Sequence, residues 1–93
     1  MCTNIVRSAE LTGSSKGPQG WYPVVEAVVT YDHPFHAPLD HAINIDFVDG
    51  ANGLNGRASV ELTIEGAREL ARTILNAVEQ AEQLHPQAAA ATP

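Results

Sequence analysis

Cysteine is almost absent from this sequence: Cys2 is the single one, so no intramolecular disulfide can form. Basic residues are scarce as well, with five lysines and arginines against 11 aspartates and glutamates, for a formal net charge of −6. Nucleic acids and anionic membranes bind basic surfaces, so neither is an expected partner. Because neither a bilayer-spanning apolar run nor a signal peptide is recognisable, we expect a cytoplasmic protein.

The chain is also short. Its 93 residues are enough for one domain with a modest core, to whose stability a metal ion or a partner subunit would add. We assign residues 1–85 to a single α+β domain. The Ala/Pro-rich residues 86–93 are expected to form a flexible tail.

Apolar and polar residues alternate in several segments, which predicts a four-stranded, mostly antiparallel sheet. The strongest pattern runs from Trp21 to His33, and His41 to Val48 repeats it. Residues 3–11 and Arg57 to Thr63 are weaker candidates. The glycines, serines and proline of residues 12–20 predict a loop.

After the last strand, apolar residues recur at spacings of three and four, which predicts one amphipathic C-terminal helix. Thr63 is its expected N-cap, because a threonine hydroxyl accepts hydrogen bonds from the free amides of the first turn. The helix should end near His85, before Pro86. Its apolar stripe comprises Ala67, Leu70, Ala71, Ile74, Leu75, Val78 and Ala81. We expect this stripe to pack on one face of the sheet.

The two faces of the strongest strand differ in composition. One face holds Val25, Ala27, Val29, Tyr31 and His33 and is the expected core face. The opposite face is mixed. Its apolar members, taken with those of the next strand, indicate a subunit interface and hence a homo-oligomer. These members are Val24, Val28, Ala42 and Val48.

Three of the four histidines, His33, His36 and His41, lie around a proline-containing segment between the second and third strands. If the two strands form a hairpin in which His33 opposes His41, a consistent register follows. It pairs Tyr31 with Ile43, Val29 with Ile45, and Ala27 with Phe47. Every one of these residues lies on the expected core face, so the register favours two adjacent imidazoles at the hairpin mouth.

Adjacent imidazoles can share one metal ion, and His36 projects from the connecting loop. Three imidazoles with one open position suit zinc, and copper, iron or nickel would accept the same ligands. Asp40 is a further candidate, either as a ligand or as an acceptor that orients an imidazole. Cys2 would supply a soft ligand if the first strand runs beside this corner. The predicted metal ligands are therefore His33, His36, His41, Cys2 and Asp40.

Two interpretations of this pattern stay open. In the first, the chain is a small metal-binding protein; if it is an enzyme, a zinc-bound water would carry out hydrolysis or hydration. In the second, it is a non-enzymatic homo-oligomeric assembly module with structural histidines, in which His33 bonds Asp40. A stoichiometric metal ion would distinguish the first from the second.

Several stretches of the sequence resemble a known family. They are Met1-Cys2-Thr3, Lys16-Gly17 with Gly20-Trp21, Tyr31 to Pro38, and Asn44 to Phe47. In these residues the chain resembles an uncharacterised family of small actinobacterial proteins, over nearly its whole length up to the helix. The resemblance implies no activity, because that family has no assigned function.

Overall fold

The computed structural model of the protein describes residues 5–49 and 57–85. It contains the strands β1 (Ile5–Gly17), β2 (Gly20–Asp32), β3 (Ala42–Val48) and β4 (Arg57–Leu62), followed by the helix α1 (Ile64–Leu84). The strands form one antiparallel sheet in the order β1-β2-β3-β4. The predicted α+β class, with a four-stranded sheet and one C-terminal helix, is confirmed. The predicted tail at 86–93 lies outside the described residues.

The first hairpin is longer than predicted. Residues 12–17, expected to be a loop, continue β1 and pair with β2, so that Gly17 opposes Gly20 across a tight turn. Gly20 has a φ of 112°, a left-handed conformation that glycine adopts without strain. Between Glu10 and Gly13 the register shifts, and two residues of β1 oppose Val25 alone. The loop prediction was wrong because pairing with the strongly β-forming β2 outweighs the local preference of serine and glycine.

The pairing of β2 with β3 follows the predicted register. Tyr31 opposes Ile43, Val29 opposes Ile45, and Ala27 opposes Phe47. Extended across all four strands, this register places a set of mainly apolar residues on one side of the sheet, called here the apolar face. The apolar face comprises Ile5, Arg7, Ala9, Ala27, Val29, Tyr31, Ile43, Ile45, Phe47, Ala58, Val60 and Leu62.

The opposite side of the sheet holds three of the buried residues, Tyr22, Val24 and Ala42. The Tyr22 hydroxyl donates a hydrogen bond to the carbonyl of Phe47 and accepts one of 2.7 Å from the amide of Ala58. It therefore links β2 to both β3 and β4. Val24 and Ala42 are buried within the chain and Val28 and Val48 are half-buried, and the subunit interface that the sequence indicated on this side stays a prediction.

The helix begins and ends where predicted. Thr63 Oγ1 accepts a hydrogen bond of 2.9 Å from the Gly66 amide, and His85 is the C-cap. Its contact with the sheet is narrower than expected: Ile64 borders the apolar face, but every residue from Arg68 to Leu84 is exposed. Within the described ranges, no helix combines the length and apolar character that crossing a membrane requires.

The Tyr22 hydroxyl provides a test of how the strands are joined. Replacing Tyr22 with phenylalanine leaves the Phe47 carbonyl and the Ala58 amide without their side-chain partner in a part-buried place. We expect the free energy of unfolding to fall by about 1–3 kcal/mol, measured by urea denaturation. Tyr31→Phe is the matched control, because the Tyr31 hydroxyl makes no hydrogen bond to any described residue. Equal stability of the two variants would contradict the role of Tyr22.

Candidate metal site

Residues 33–41 connect β2 to β3, and the register brings the two ends of this connection together. His33 and His41 form the next row after Tyr31 and Ile43. Their ring centroids are 4.5 Å apart, with the planes tilted by 33°. The Tyr31 ring stacks on His41 at 5.1 Å. The two imidazoles are therefore adjacent at the end of the apolar face, as the register predicted.

Asp40 engages one nitrogen of each imidazole. Nδ1 of His33 lies 2.7 Å from the backbone carbonyl oxygen of Asp40, and Nδ1 of His41 lies 3.1 Å from the Asp40 carboxylate. Carbonyl and carboxylate oxygens only accept, so both Nδ1 atoms act as donors. A neutral imidazole carries one N–H, which leaves Nε2 of each ring with a free lone pair. Metal-binding histidines are commonly oriented through the other ring nitrogen in this way.

His33, Asp40 and His41 form a group that could hold a metal ion. One ligand atom from each residue lies within 4.8 Å of those of the other two. His33 and Asp40 are exposed and His41 is half-buried, so an ion can reach the group directly from solvent. We call these three residues the His-Asp-His group.

Of the other predicted ligands, the structure describes only His36, which is not part of this group. His36 lies in the same loop, but it is exposed, and its backbone amide is bound to a carboxylate on β4. Cys2 lies outside the described residues. His85 caps the C-terminal end of α1. Of the five residues that the sequence singled out, the structure brings together His33, Asp40 and His41.

Glu61 on β4 contacts the loop of the candidate site, and the sequence analysis did not identify it. Its carboxylate accepts hydrogen bonds from three consecutive backbone amides of the loop, those of Phe35, His36 (3.0 Å) and Ala37 (2.8 Å). Glu61 pairs with Asn44 across β3 and β4. Its carboxylate therefore ties the middle of the loop to the sheet. The sequence could not reveal this role, because the donors are backbone amides, which every residue except proline possesses.

The hydrogen bonds to the loop also change the acidity of Glu61. Amide donors stabilise the charged carboxylate, so the bonds from Ala37 and Phe35, with smaller contributions from His36, lower the pKa of Glu61 below its usual value. The negative charge of Glu61 and the order of the loop are thus coupled.

Together, the fold and the site define a small α+β domain with a His-Asp-His group at the mouth of its central hairpin. The chain belongs to DUF6295, a family of unknown function, whose family model matches residues 1–88. The resemblance drawn from the sequence is confirmed to that extent, as membership of a family without an assigned function. No curated protein and no solved structure matches the chain.

The lowered pKa of Glu61 predicts how the loop responds to pH. A carboxyl group whose pKa is lower in the folded state stabilises that state fully above its unfolded value, and the contribution disappears as the pH falls through the folded value. The amide protons of Phe35, His36 and Ala37 should therefore titrate together in NMR spectra, at a pH below 4.5, the ordinary value for Glu61.

A Glu61→Gln variant should abolish the response of the loop to acidic pH, because the glutamine amide oxygen accepts hydrogen bonds but does not ionise at acidic pH. Its three loop amides should show no acidic titration, and they should exchange with solvent faster than those of the wild type at neutral pH. Glu69→Gln, on the exposed surface of α1, is the control for loss of one charge. Titration of the loop amides in Glu61→Gln as in the wild type would contradict the assignment.

Proposed function

We propose that the protein binds one divalent transition-metal ion at the hairpin mouth, through Nε2 of His33 and Nε2 of His41, with Asp40 orienting both rings. The observation that supports this is the engagement of both Nδ1 atoms by Asp40. It fixes two adjacent imidazoles in the tautomer whose free lone pair is on Nε2. The two imidazole rings therefore have little rotational freedom left for a metal ion to restrict.

The ligand types favour zinc over calcium or magnesium. Imidazole nitrogen suits zinc, copper, iron and nickel, whereas calcium and magnesium prefer shells of oxygen ligands. Zinc is the first candidate. Two imidazoles alone leave coordination positions for water, for a carboxylate or for a substrate. Should the metal be zinc, a bound water of lowered pKa would make hydrolysis or hydration the reaction class to test.

The proposal gives His36 no direct role. Glu61 holds its backbone amide, and its side chain does not belong to the His-Asp-His group. Cys2 stays a candidate ligand on the sequence alone. The alternative function, a homo-oligomeric assembly module with structural histidines, is favoured by a different observation, the uncovered apolar surfaces of the sheet and helix.

Metal content tests the proposal directly. Protein purified without a chelator should contain about one equivalent of a transition metal, measured by elemental analysis, or take it up on reconstitution. His33→Ala and His41→Ala should each lose most of this metal, because each removes one of two imidazole ligands. His36→Ala is the matched control, since it deletes an imidazole of the same loop and keeps the backbone amide that Glu61 binds; it should retain the metal.

Two results would reject the proposal. One is wild-type protein that stays free of metal after exposure to zinc, copper, iron and nickel. The other is metal that is retained equally in the His33→Ala, His41→Ala and His36→Ala variants, which would place it elsewhere. In either case the contacts of His33 and His41 with Asp40 would serve only to hold the loop.

A further inference from the structure

Two apolar surfaces are only partly covered by the residues that the structure describes. On the apolar face, Ile5 is 48% and Val60 39% exposed. On the helix stripe, Ile74 is 53% and Leu75 61% exposed, and no residue of α1 is buried. Isolated apolar residues on a surface are ordinary, but contiguous apolar surfaces of this extent mark sites of association.

Most of the helix lies off its own sheet, because every residue from Arg68 to Leu84 is exposed. Thr63 alone connects β4 to α1, and its side chain accepts a hydrogen bond from the Gly66 amide. So short a connection restricts how α1 can turn back over the sheet. Its 21 residues extend over about 31 Å. An isolated helix of this kind is only marginally stable in water, so α1 needs a packing partner.

The accessible surface area of the chain also indicates association. Its accessible surface is 7165 Å² for 9.9 kDa, whereas a folded monomer of that mass has about 5200 Å². The excess of roughly 2000 Å² is an upper limit, because the total also counts residues outside the described ranges; each subunit of an obligate homodimer buries about 1000–2500 Å², since such interfaces total about 2000–5000 Å².

We propose that two copies of this chain form a symmetric dimer in which α1 of each copy lies across the apolar face of the other. One chain carries both halves of this contact, so a two-fold arrangement satisfies both stripes and both faces at once and closes the assembly. The length of the helix stripe matches the width of the sheet. From Leu70 to Ala81 the stripe spans about 17 Å, and four strands are about 14 Å across.

The proposed interface also determines which partners are excluded. Arg7 is the one charged residue of the apolar face, and the charged residues of α1 before Glu82, at its C-terminal end, lie off its stripe. A strongly charged partner would leave its own charges unpaired against these surfaces, which is costly. A second copy supplies an apolar surface at each place where one is exposed. The proposed contact does not use the three residues of the His-Asp-His group, although His33 and His41 continue the apolar face beyond Tyr31 and Ile43.

Sedimentation equilibrium tests the dimer with a matched pair of variants. The wild type should have twice the chain mass. Ile74→Lys puts a charge in the stripe and should sediment as a monomer at concentrations at which the wild type is a dimer. Gln83→Lys adds the same charge on the opposite side of α1 and should remain a dimer. Val60→Lys, on the receiving face, should also be a monomer.

Intermolecular NOEs in the wild type keep the test independent of variants that fail to fold. In a sample mixed from isotope-labelled and unlabelled chains, the methyl groups of Ile74 and Val78 should show NOEs to Val29 and Val60 of the other copy. A wild type that is monomeric, an Ile74→Lys variant that dimerises as well as Gln83→Lys, or a dimer without these NOEs would each overturn the proposal.

Discussion

The register between β2 and β3 determines where the apolar face and the His-Asp-His group of this protein lie. Side chains alternate between the two sides of a strand, so a slip of one residue would move every member of β3 to the other side. Asn44 and Asp46 would then replace Ile43 and Ile45 on the apolar face, and His41 would no longer stand beside His33. The apolar face and the His-Asp-His group are therefore two consequences of one pairing.

Asp40 and Glu61 add hydrogen bonds that order the connecting loop. Asp40 accepts from His33 through its backbone carbonyl and from His41 through its carboxylate, and the Glu61 carboxylate accepts from three amides in the middle of the loop. Because these contacts act at different places, they fix the loop more completely than the hairpin alone would. Order in this loop lowers the entropy that binding an ion would cost. The Glu61 charge thus supports the site without belonging to it.

The parts of the fold that the sequence predicts are those with local causes. Strict alternation in β2 and β3 defines their faces, and matching those faces leaves one register. The Thr63 cap follows from the hydroxyl of one residue, which accepts a hydrogen bond from the first turn. The end of α1 before Pro86 follows from the backbone N–H that proline lacks.

Other features depend on contacts between distant segments and could not be predicted in this way. Residues 12–17 lack a strand pattern and become a strand through β2. The register predicts that His33 and His41 are adjacent, but the binding of the His36 backbone amide by Glu61 depends on a contact between distant segments. The narrow contact of α1 with its own sheet is also hidden in the sequence, because an amphipathic stripe has the same pattern whether its partner is in the same chain or in another.

The most direct test of this account is the tautomeric state of the histidines, measured by ¹⁵N NMR on metal-free protein at a pH at which the rings are neutral. His33 and His41 should both be protonated on Nδ1, and added zinc should shift their Nε2 resonances together. The rings of His36 and His85 form no hydrogen bonds among residues 5–49 and 57–85, and they serve as internal references that zinc should leave unchanged. Protonation of His33 or His41 on Nε2, or a zinc response shared equally by all four rings, would contradict the account.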